Sequence, residues 1–330
     1  MIAHPSVVVV TGASGFIGRH LIAALIRRGY LVRVVIRQRG SPFQDHSAIE
    51  ICEVRDIVDA PWGELLAGAE AVVHLAGIAH RANPGSAQDA QRLRAVNVEA
   101  VADLTRGAAA ARVRRMLLLS SIGVLGATSG ATAFDEASIP APHDFYSRTK
   151  LDAERAAADA SAGSLLQLCV VRAPLVFGPA APGNFGRLVA CIRRGIPLPL
   201  GAIDNRRSLI SVWNLCDLLI TCLTHPRAAE RPILAADDEV VSTPELVRLC
   251  AGFLGTRARL IPVPVALLRL ACRMLGRQAD FDRLCGSLTV DTRQMHERLG
   301  WIARLDLREG LRQAVTGGAT TDRRQGAADV

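Results

Sequence analysis

Two residue types that are rare in this chain stand four positions apart. Lys150 is the only lysine among 39 basic residues, and Tyr146 is one of two tyrosines in 330 residues. A single lysine placed at random would follow a tyrosine at this spacing roughly two times in 330, so the pair is informative. Residues four apart face the same side of a helix. An ammonium held there is expected to lower the pKa of the phenol, which lets Tyr146 move a proton.

A serine pair supplies a third group. Ser120 and Ser121 follow the strand predicted for residues 116–119, and Ser121 precedes Tyr146 by 25 residues. The end of a parallel strand is the sheet edge at which ligands bind in α/β folds. A serine in such a place is usually only a turn residue, but beside Tyr146 and Lys150 it completes a set for carbonyl and alcohol chemistry. In that set Ser121 holds the carbonyl oxygen and Tyr146 transfers the proton.

Glycines spaced by three predict a second site near the N-terminus. Gly12, Gly15 and Gly18 follow the β-branched residues 6–10 and precede an apolar-periodic stretch, so the order is strand, turn and helix. Glycine lets the backbone turn tightly and approach a pyrophosphate, whose charge is met by free N–H groups and the helix dipole. Glycine turns before helices are common, but in this context they predict dinucleotide binding. The predicted contacts at the turn are Gly12, Ser14, Gly15, Phe16, Ile17 and Gly18.

The residues after the second strand indicate which dinucleotide is expected. Folds that prefer the unphosphorylated cofactor usually place a carboxylate there for the ribose 2′-OH. This strand ends with Arg37 and Arg39 instead, and guanidinium groups bind a 2′-phosphate. NADP(H) is therefore favoured and NAD(H) is the alternative, although two arginines in an arginine-rich chain also fit a solvated surface. Asp56 and Ile57, after the third strand, are expected on the adenine side.

Strands alternate with helical patterns along the first half of the chain. Such alternation predicts an α/β fold with a Rossmann-type doubly wound parallel sheet. The predicted strands are residues 6–10, 31–36, 49–54, 71–75, 116–120 and 166–171. After residue 174 prolines and glycines cluster, and short helices are predicted at 244–255 and 263–276. This change of texture indicates a smaller C-terminal α/β lobe for the substrate.

The predicted division follows from that change. A dinucleotide-binding domain covers residues 1–178 and is rejoined by about residues 205–237, because residues 233–236 are apolar and return to the sheet. A substrate-binding lobe covers 179–316. The small, polar residues 317–330 have no periodicity, so a disordered tail is expected.

Composition excludes several classes of protein. Half of the residues are apolar and about a fifth are charged, which excludes disorder and fibrous repeats. No apolar run approaches the roughly 20 residues that cross a bilayer, and no secretory signal is recognised, so no membrane span and a cytoplasmic location are expected. The eight cysteines form no C-x-x-C pair and no metal-ligand spacing, so neither disulfides nor a metal site is predicted.

The net charge of +8 comes from arginines dispersed along the whole chain. Neither a basic block nor interleaved aromatic residues are present, so a nucleic-acid partner is not expected. An anionic small-molecule substrate fits the charge better, and an arginine-rich genome explains it equally well.

Motifs spread from residue 11 to residue 301 resemble the extended short-chain dehydrogenase/reductases, and within them the nucleotide-sugar epimerase/dehydratase group. They are Thr11-Gly-Ala-Ser-Gly-Phe-Ile-Gly18, His74-Leu-Ala-Gly77, Val96-Asn97-Val98, Ser120-Ser121, Tyr146-x-x-x-Lys150, Val171-Arg172-Ala-Pro174, Phe177-Gly-Pro179 and the run from Arg207 to Asp217. The resemblance implies that Ser121, Tyr146 and Lys150 are catalytic. The cofactor contacts it implies are Leu75, Ala76, Gly77, Tyr146 and Lys150. The substrate contacts it implies are Ser121, Asn184, Leu200, Arg207 and Arg283.

Departures from the family pattern bear on the reaction. Members that dehydrate the sugar carry an Asp-Glu pair just after the catalytic hydroxyl, where this chain has Ile122 and Gly123, so dehydration is not expected. The remaining reactions are reduction of a 4-keto nucleotide sugar and 4-epimerization. Residues 73–80, 183–185 and 198–207 resemble bacterial enzymes that reduce UDP-4-keto-6-deoxy-N-acetylhexosamines for surface polysaccharides. That NAD(P)-dependent reductase is the leading prediction. A UDP-hexose or UDP-N-acetylhexosamine 4-epimerase with bound NAD is the alternative.

Further predictions concern residues outside these motifs. His74 lies in an apolar strand and is expected to be packed, and His143 is expected in a loop near the mouth of the site. Residues 263–276 have an apolar face interrupted by Arg269 and Arg273, which fits a membrane-surface helix but is more typical of a core or dimer helix. A UDP-sugar and a second copy of the chain are the expected partners. A non-catalytic dinucleotide-binding regulator is the rival hypothesis, and the complete catalytic set argues against it.

Overall fold

The computed structural model describes residues 6–37, 43, 46–79, 84–276 and 278–317, without the side chains of 278–280. Arg39, His80 and the predicted tail beyond Gly317 lie outside the described residues. The described part forms two lobes, each with its own sheet.

The larger sheet confirms the predicted fold class. The strands are β1 (Val7–Thr11), β2 (Leu31–Ile36), β3 (Ile49–Glu53), β4 (Ala71–His74), β5 (Arg115–Ser121), β6 (Gln167–Ala173), β7 (Leu175–Phe177), β8 (Arg207–Ser211), β9 (Ile233–Leu234) and β10 (Val240–Val241). Within the described residues the larger sheet has the order β3-β2-β1-β4-β5-β6-β9, and every neighbouring pair is parallel. The chain reverses its direction of travel between β1 and β4, and the crevice at such a switch point is where ligands bind.

The helices of the described residues are α1 (Phe16–Arg27), α2 (Trp62–Leu65), α3 (Ala87–Arg94), α4 (Ala100–Ala110), α5 (Phe145–Ser161), α6 (Asn184–Arg193), α7 (Val212–Thr224), α8 (Thr243–Phe253), α9 (Val265–Met274), α10 (Gln278–Cys285), α11 (Arg293–Leu299) and α12 (Leu307–Thr316). The larger sheet is covered on one face by α1 and α7 and on the other by α4 and α5. Val8 and Val10 of β1 pack with residues of α1 and α7, whereas Val9 packs with residues of α4 and α5. A parallel strand buried on both faces is therefore apolar at every position, as residues 7–10 are.

The smaller lobe forms around β7, β8 and β10. Strand β8 pairs parallel with β7 and antiparallel with β10. Phe177, Phe185, Leu209, Val247 and Leu311 form its core, which brings together α6, α8 and α12. The sequence predicted an α/β lobe here and located its helices but none of its strands. Strands β7 and β10, with three and two residues, are too short to show an alternating pattern.

The described residues contain neither a membrane-spanning helix nor a cluster of metal ligands. None of the described helices is long and apolar enough to cross a bilayer. No group of three or more His, Cys, Asp or Glu side chains in the described ranges is arranged to hold a metal ion. All eight cysteines are free thiols.

Candidate active site

The three predicted catalytic residues come from two neighbouring elements. Ser121 is the last residue of β5, and its Oγ accepts a hydrogen bond of 3.1 Å from the N–H of Gly123. Tyr146 and Lys150 lie in the first two turns of α5. Asp144 caps the start of that helix, and its Oδ1 accepts a hydrogen bond from the N–H of Ser147 at 2.7 Å. The strand end and the capped helix thus face the same crevice.

Asn97 connects the helix to the loop after β4. It lies in a π-helical turn, Ala95–Glu99, and such turns are frequent at functional sites. Its side-chain amide donates to Thr149 Oγ1 at 3.1 Å, and its Oδ1 accepts from the N–H of Ile78 at 2.8 Å. Thr149 Oγ1 in turn donates to the carbonyl of Tyr146 at 2.8 Å. A chain of hydrogen bonds therefore fixes the loop around Gly77 relative to the catalytic helix.

A buried ion pair lies one turn beyond Lys150. Glu154 accepts from Arg172 of β6 at 2.6 Å, and it also accepts a hydrogen bond from the hydroxyl of Ser120. All three side chains are buried. A carboxylate in that position joins α5 to β5 and β6, and it lies on the same helix face as Lys150.

The electrostatics of the site differ from one sequence-based expectation. Burial lowers the pKa of Lys150 to about 8, and the Glu154 carboxylate acts in the opposite direction. Burial, helped by the Asp144 carboxylate, raises the pKa of Tyr146 to about 12. The expected lowering of the Tyr146 pKa by Lys150 is therefore wrong for this structure. A buried phenol is held in its neutral form, as a proton donor.

His74 is packed and neutral, in agreement with the position predicted for it. Its Nδ1 lies 2.9 Å from Thr11 Oγ1, and the side chain is buried between the strands. Burial lowers its pKa to about 3, with a smaller effect from the Lys150 ammonium. At neutral pH it carries no charge.

The glycine turn fits a dinucleotide. Gly12 has φ +68°, and a Cβ there would lie 2.6 Å from the backbone nitrogen of Ala76 on the neighbouring strand end. A Cβ at Gly18 would overlap the carbonyl of Gly12. The N-terminus of α1 has no side-chain cap, so its first N–H groups are directed at the turn. Ser14, Phe16 and Ile17 lie in the same turn and first helical residues, which leaves this backbone suited to a pyrophosphate.

The loop after β4 forms the other half of this cradle. A Cβ at Gly77 would lie 3.2 Å from Asn97 Oδ1 and 4.0 Å from Lys150 Nζ, so the backbone here passes close over the lysine. Leu75 and Ala76 hold the loop through backbone N–H bonds to Thr11. The dinucleotide-binding residues predicted from the two segments therefore meet at one sheet edge.

The predicted adenine-side residues occupy different environments. Arg37 is exposed at the end of β2. Burial opposes ionisation of Asp56, but hydrogen bonds from the Val58 N–H and from Arg92, at 3.1 and 2.5 Å, lower its pKa. Ile57 packs in the core beneath α2 and α4. Asp56 is thus a fixed anion near the predicted adenine position.

A cavity of about 460 Å³ opens between the two lobes. The predicted residues Ser121, Tyr146, Asn184, Arg207 and Arg283 all line it. Leu200 is buried and is not among the lining residues, so its predicted substrate contact has no support from the cavity. The four remaining predicted substrate residues are brought together from four different elements.

The cationic side chains of the cavity are held by backbone carbonyls and by one carboxylate. Arg207 donates to the carbonyls of Arg283 and Gly286 at 2.7 and 3.0 Å, which fixes the end of α10. Arg283 donates to Asp144 Oδ2 at 2.6 Å and so links the smaller lobe to the start of α5. Burial raises the pKa of Asp144, yet hydrogen bonds from His143 and Ser147 outweigh it and hold that pKa well below its usual range.

Three titratable lining residues were not given a role in the site from the sequence. Arg187 lies one turn after Asn184 and donates to it at 2.6 Å. Asp144 caps α5, and an aspartate two residues before the catalytic tyrosine is the capping signal that could have identified it. His143, predicted near the mouth, lines the cavity with Nε2 3.3 Å from Asp144 Oδ2.

The fold and the cleft define an enzyme built on a dinucleotide-binding sheet, with a tyrosine, a lysine and a serine at the junction with a second lobe. Comparison with known proteins places it more closely. The sequence profile of the NAD dependent epimerase/dehydratase family matches residues 8–235. The chain belongs to this family.

Relatives and solved structures agree with that membership. The UDP-glucose 4-epimerase of Vibrio cholerae is 34% identical over 313 residues, which cover 94% of each chain. The structure of MoeE5 in complex with UDP-glucose and NAD is 28% identical, covers 94% of this chain and 97% of that one, and has a TM-score of 0.74. A putative epimerase from Burkholderia cenocepacia, at 23% identity, covers 95% of this chain and 98% of that one and shares the fold with a TM-score of 0.77.

Proposed function

We propose that the protein is a UDP-hexose 4-epimerase that works with a retained NAD. The sequence favoured reduction of a UDP-4-keto-6-deoxy-N-acetylhexosamine and kept 4-epimerization as the alternative. The similarity to the Vibrio cholerae UDP-glucose 4-epimerase, which extends over 94% of each chain, supports the alternative better. The reductase therefore becomes the second candidate.

The observation that carries the proposal is the distribution of side chains along the cavity. The smaller lobe contributes the polar anchors Asn184 and Arg187 of α6, Arg207 of β8 and Arg283 of α10. These side chains and the N-terminus of α6 suit a nucleotide diphosphate. Beside the catalytic residues, the larger lobe contributes the polar residues His143, Asp144 and Ser147 at the start of α5. The lining residues that precede them in the chain, apart from Ser121, are small or apolar: Ala79, Ile122, Gly123, Gly126 and Ala127.

This asymmetry fits 4-epimerization. A 4-epimerase removes a hydride from one face of the sugar ring and returns it to the other, so the ring must turn while the diphosphate stays bound. The small and apolar residues of the larger lobe permit that movement, and the four polar anchors of the smaller lobe keep the intermediate from leaving. A reductase needs to present only one face.

Gly123 supports the exclusion of dehydration. A Cβ there would lie 2.7 Å from Ser147 Oγ and 3.3 Å from Ser121 Oγ, and Ile122 beside it is buried. The acid and base that water elimination requires have no room at these two positions. The reactions that remain, reduction and epimerization, change only C4 of the sugar.

The residues have distinct roles in that chemistry. Tyr146 exchanges one proton with the oxygen at C4: its phenolate form takes the proton of the sugar 4-hydroxyl, and the phenol so formed, which burial favours, returns that proton to the 4-keto oxygen. Ser121 donates a hydrogen bond to the same oxygen. The Gly12 turn and the Gly77 loop hold the dinucleotide, and Lys150 supplies a positive charge beside the Gly77 backbone. The chemistry that a bound nicotinamide supplies is reversible hydride transfer at C4.

The second candidate rests on Arg37. Its exposed guanidinium, with Arg39 predicted beside it, fits the 2′-phosphate of NADP, which a reductase must exchange at every cycle.

Location and assembly are part of the proposal for either reaction. The cysteines, all free thiols, fit a reducing compartment, and we propose that the enzyme acts in the cytoplasm. We also propose a homodimer.

Product analysis tests the proposal. Purified protein is incubated with UDP-glucose and with UDP-N-acetylglucosamine without added cofactor, the C4 epimers are separated by chromatography, and the dinucleotide released by acid is identified. We expect bound NAD and an equilibrium mixture of epimers. Protein that lacks dinucleotide, leaves both sugars unchanged and oxidises NADPH stoichiometrically with a 4-keto-6-deoxy UDP-sugar would establish the reductase instead.

A further inference from the structure

The outer face of α9 is apolar and uncovered within the described part of the chain. None of the residues Val265–Met274 is buried. Leu267 is 57% exposed, Leu270 52% and Met274 73%, and their spacing of three and four places them in one stripe along the helix. The expectation of a core helix for this segment is therefore wrong, because its inner face is only half-buried and its outer face reaches solvent.

The inner side of α9 attaches it to the smaller lobe. Leu268 and Cys272 are half-buried, and the guanidinium of Arg269 lies 5.2 Å from the ring centroid of Phe281 on α10. The next turns of α10 carry Arg283 and Leu284, which line the cavity. The outer stripe thus lies on a helix pair that forms one wall of the substrate cleft.

Charge indicates what covers this face. Residues 246–279 contain six arginines and no aspartate or glutamate. Two of them, Arg269 and Arg273, are exposed on α9 and flank the stripe on one side. An apolar stripe bordered by cations and free of carboxylates is the composition of a helix that lies in the interface of an anionic membrane.

We propose that the outer face of α9 binds the surface of an anionic lipid bilayer, with Leu267, Leu270 and Met274 inserted among the acyl chains. A second copy of the chain fits this face less well. Two copies meeting there would bring together two carboxylate-free segments, and their arginines would repel. Lipid phosphates neutralise the same arginines. The helix lies on the membrane and does not cross it, and the proposal holds for either reaction considered above.

Vesicle flotation of the full chain tests this proposal. The probes are vesicles of phosphatidylcholine alone and of phosphatidylcholine mixed with phosphatidylglycerol. We expect the protein to float with the mixed vesicles at low salt and to stay in solution with phosphatidylcholine alone. L270E should weaken vesicle binding by about tenfold or more. The leucine proposed to insert among the acyl chains is replaced by a carboxylate, which anionic lipid repels.

The chain offers a matched control. Leu165 is 94% exposed and lies in the loop before β6, so L165E removes an equally accessible leucine outside the stripe. We expect L165E to float as the unaltered protein does, and both variants to keep the same melting temperature. Equal flotation of L270E and the unaltered protein would overturn the proposal. An absence of flotation with the mixed vesicles would overturn it as well. A concentration-dependent dimer that L270E dissociates would also overturn it, because it would identify a second copy of the chain as the occupant.

Discussion

In the proposed reaction Tyr146 and Ser121 act on the substrate oxygen, and Tyr146 is the group that exchanges its proton with that oxygen. Tyr146→Phe keeps the ring and its packing but removes the hydroxyl. We expect turnover to fall by about 10²–10⁴-fold with bound dinucleotide retained. Epimer formation and acid-released NAD measure the two effects.

Tyr30→Phe is the matched control, since Tyr30 is the other tyrosine of the chain and packs against the core near α1. It should keep full activity. If Tyr146→Phe turned over at a rate near that of the unaltered enzyme, Tyr146 would not be the proton donor.

Glu154 gives a pH-dependent prediction. Burial lowers the pKa of Lys150, and the Glu154 carboxylate partly offsets this decrease. The lysine loses its proton as pH rises through about 8, so any step that needs its ammonium declines above that pH. Glu154→Gln removes the opposing charge. We expect the alkaline decline of kcat to move to lower pH, measured in a profile of epimerization rate against pH.

Asp152→Asn is the control on the same helix, because Asp152 is more exposed and pairs with Arg94 at 3.2 Å. Its profile should match that of the unaltered enzyme. Thermal unfolding checks that Glu154→Gln is folded, because Arg172 loses its charged partner. An unmoved alkaline limb in a folded Glu154→Gln protein contradicts the coupling.

The sequence predicted the candidate catalytic residues but not the groups that position them. Tyr146 and Lys150 stood out because tyrosine and lysine are rare in this chain. Asn97 entered only as part of a family motif, since its role depends on a hydrogen bond to Thr149, 52 positions away. The pKa of Tyr146 was mispredicted for a related reason. Burial cannot be read from residue spacing, and it outweighs a nearby charge.

At the scale of elements, the glycine turn between β1 and α1 is fixed by close approach as well as by backbone conformation. Gly12 and Gly29 both have positive φ, but a Cβ would meet Ala76 only at Gly12, and at Gly29 it meets nothing within 4 Å. Gly29→Ala should cost about 1 kcal/mol of unfolding free energy through strain alone. Gly12→Ala should cost more and release the bound dinucleotide.

Denaturant unfolding and the NAD content of the purified variants check this comparison. The two substitutions add the same methyl group in similar backbone conformations, so their difference isolates the contact with the β4 loop. Equal stability and equal NAD content in both variants would show that the turn does not hold the cofactor.

The strands of the larger sheet were predictable, whereas those of the smaller lobe were not. The central strands β1 and β4 are nearly continuous apolar runs because helices cover both faces of the larger sheet. Strands β7 and β10 have three and two residues, and their pairing depends on β8, which lies distant in sequence from both. Such pairing is set by the packing of the smaller lobe and leaves no local pattern.

At the scale of the molecule, the contact of Arg283 with Asp144 joins the two lobes across the cleft. Arg283→Ala removes this link and one of the cations at the proposed diphosphate end. We expect the Kd for UDP to rise by about tenfold, with little change in bound NAD. Calorimetric titration with UDP measures the change.

Arg293→Ala is the control, because Arg293 pairs with Asp291 on the surface and its side chain is 82% exposed. Its Kd for UDP should not change. An unaltered Kd in Arg283→Ala would remove this residue from the proposed substrate site.

The size of the cleft could not be predicted from the sequence, since its walls come from segments more than 100 residues apart.

The single lysine has a consequence for chemical labelling. Apart from the N-terminal amine, Lys150 is the only amine that the sequence offers to an acylating reagent. With a pKa of about 8, about a tenth of it is the nucleophilic free base at pH 7. The reagent must reach it past the Gly77 loop, where the dinucleotide is proposed to lie. Lys150 should therefore gain an acyl group when the site is empty and remain unmodified when the dinucleotide is bound. The fraction of the Lys150 peptide that carries the added mass would report the fraction of empty sites.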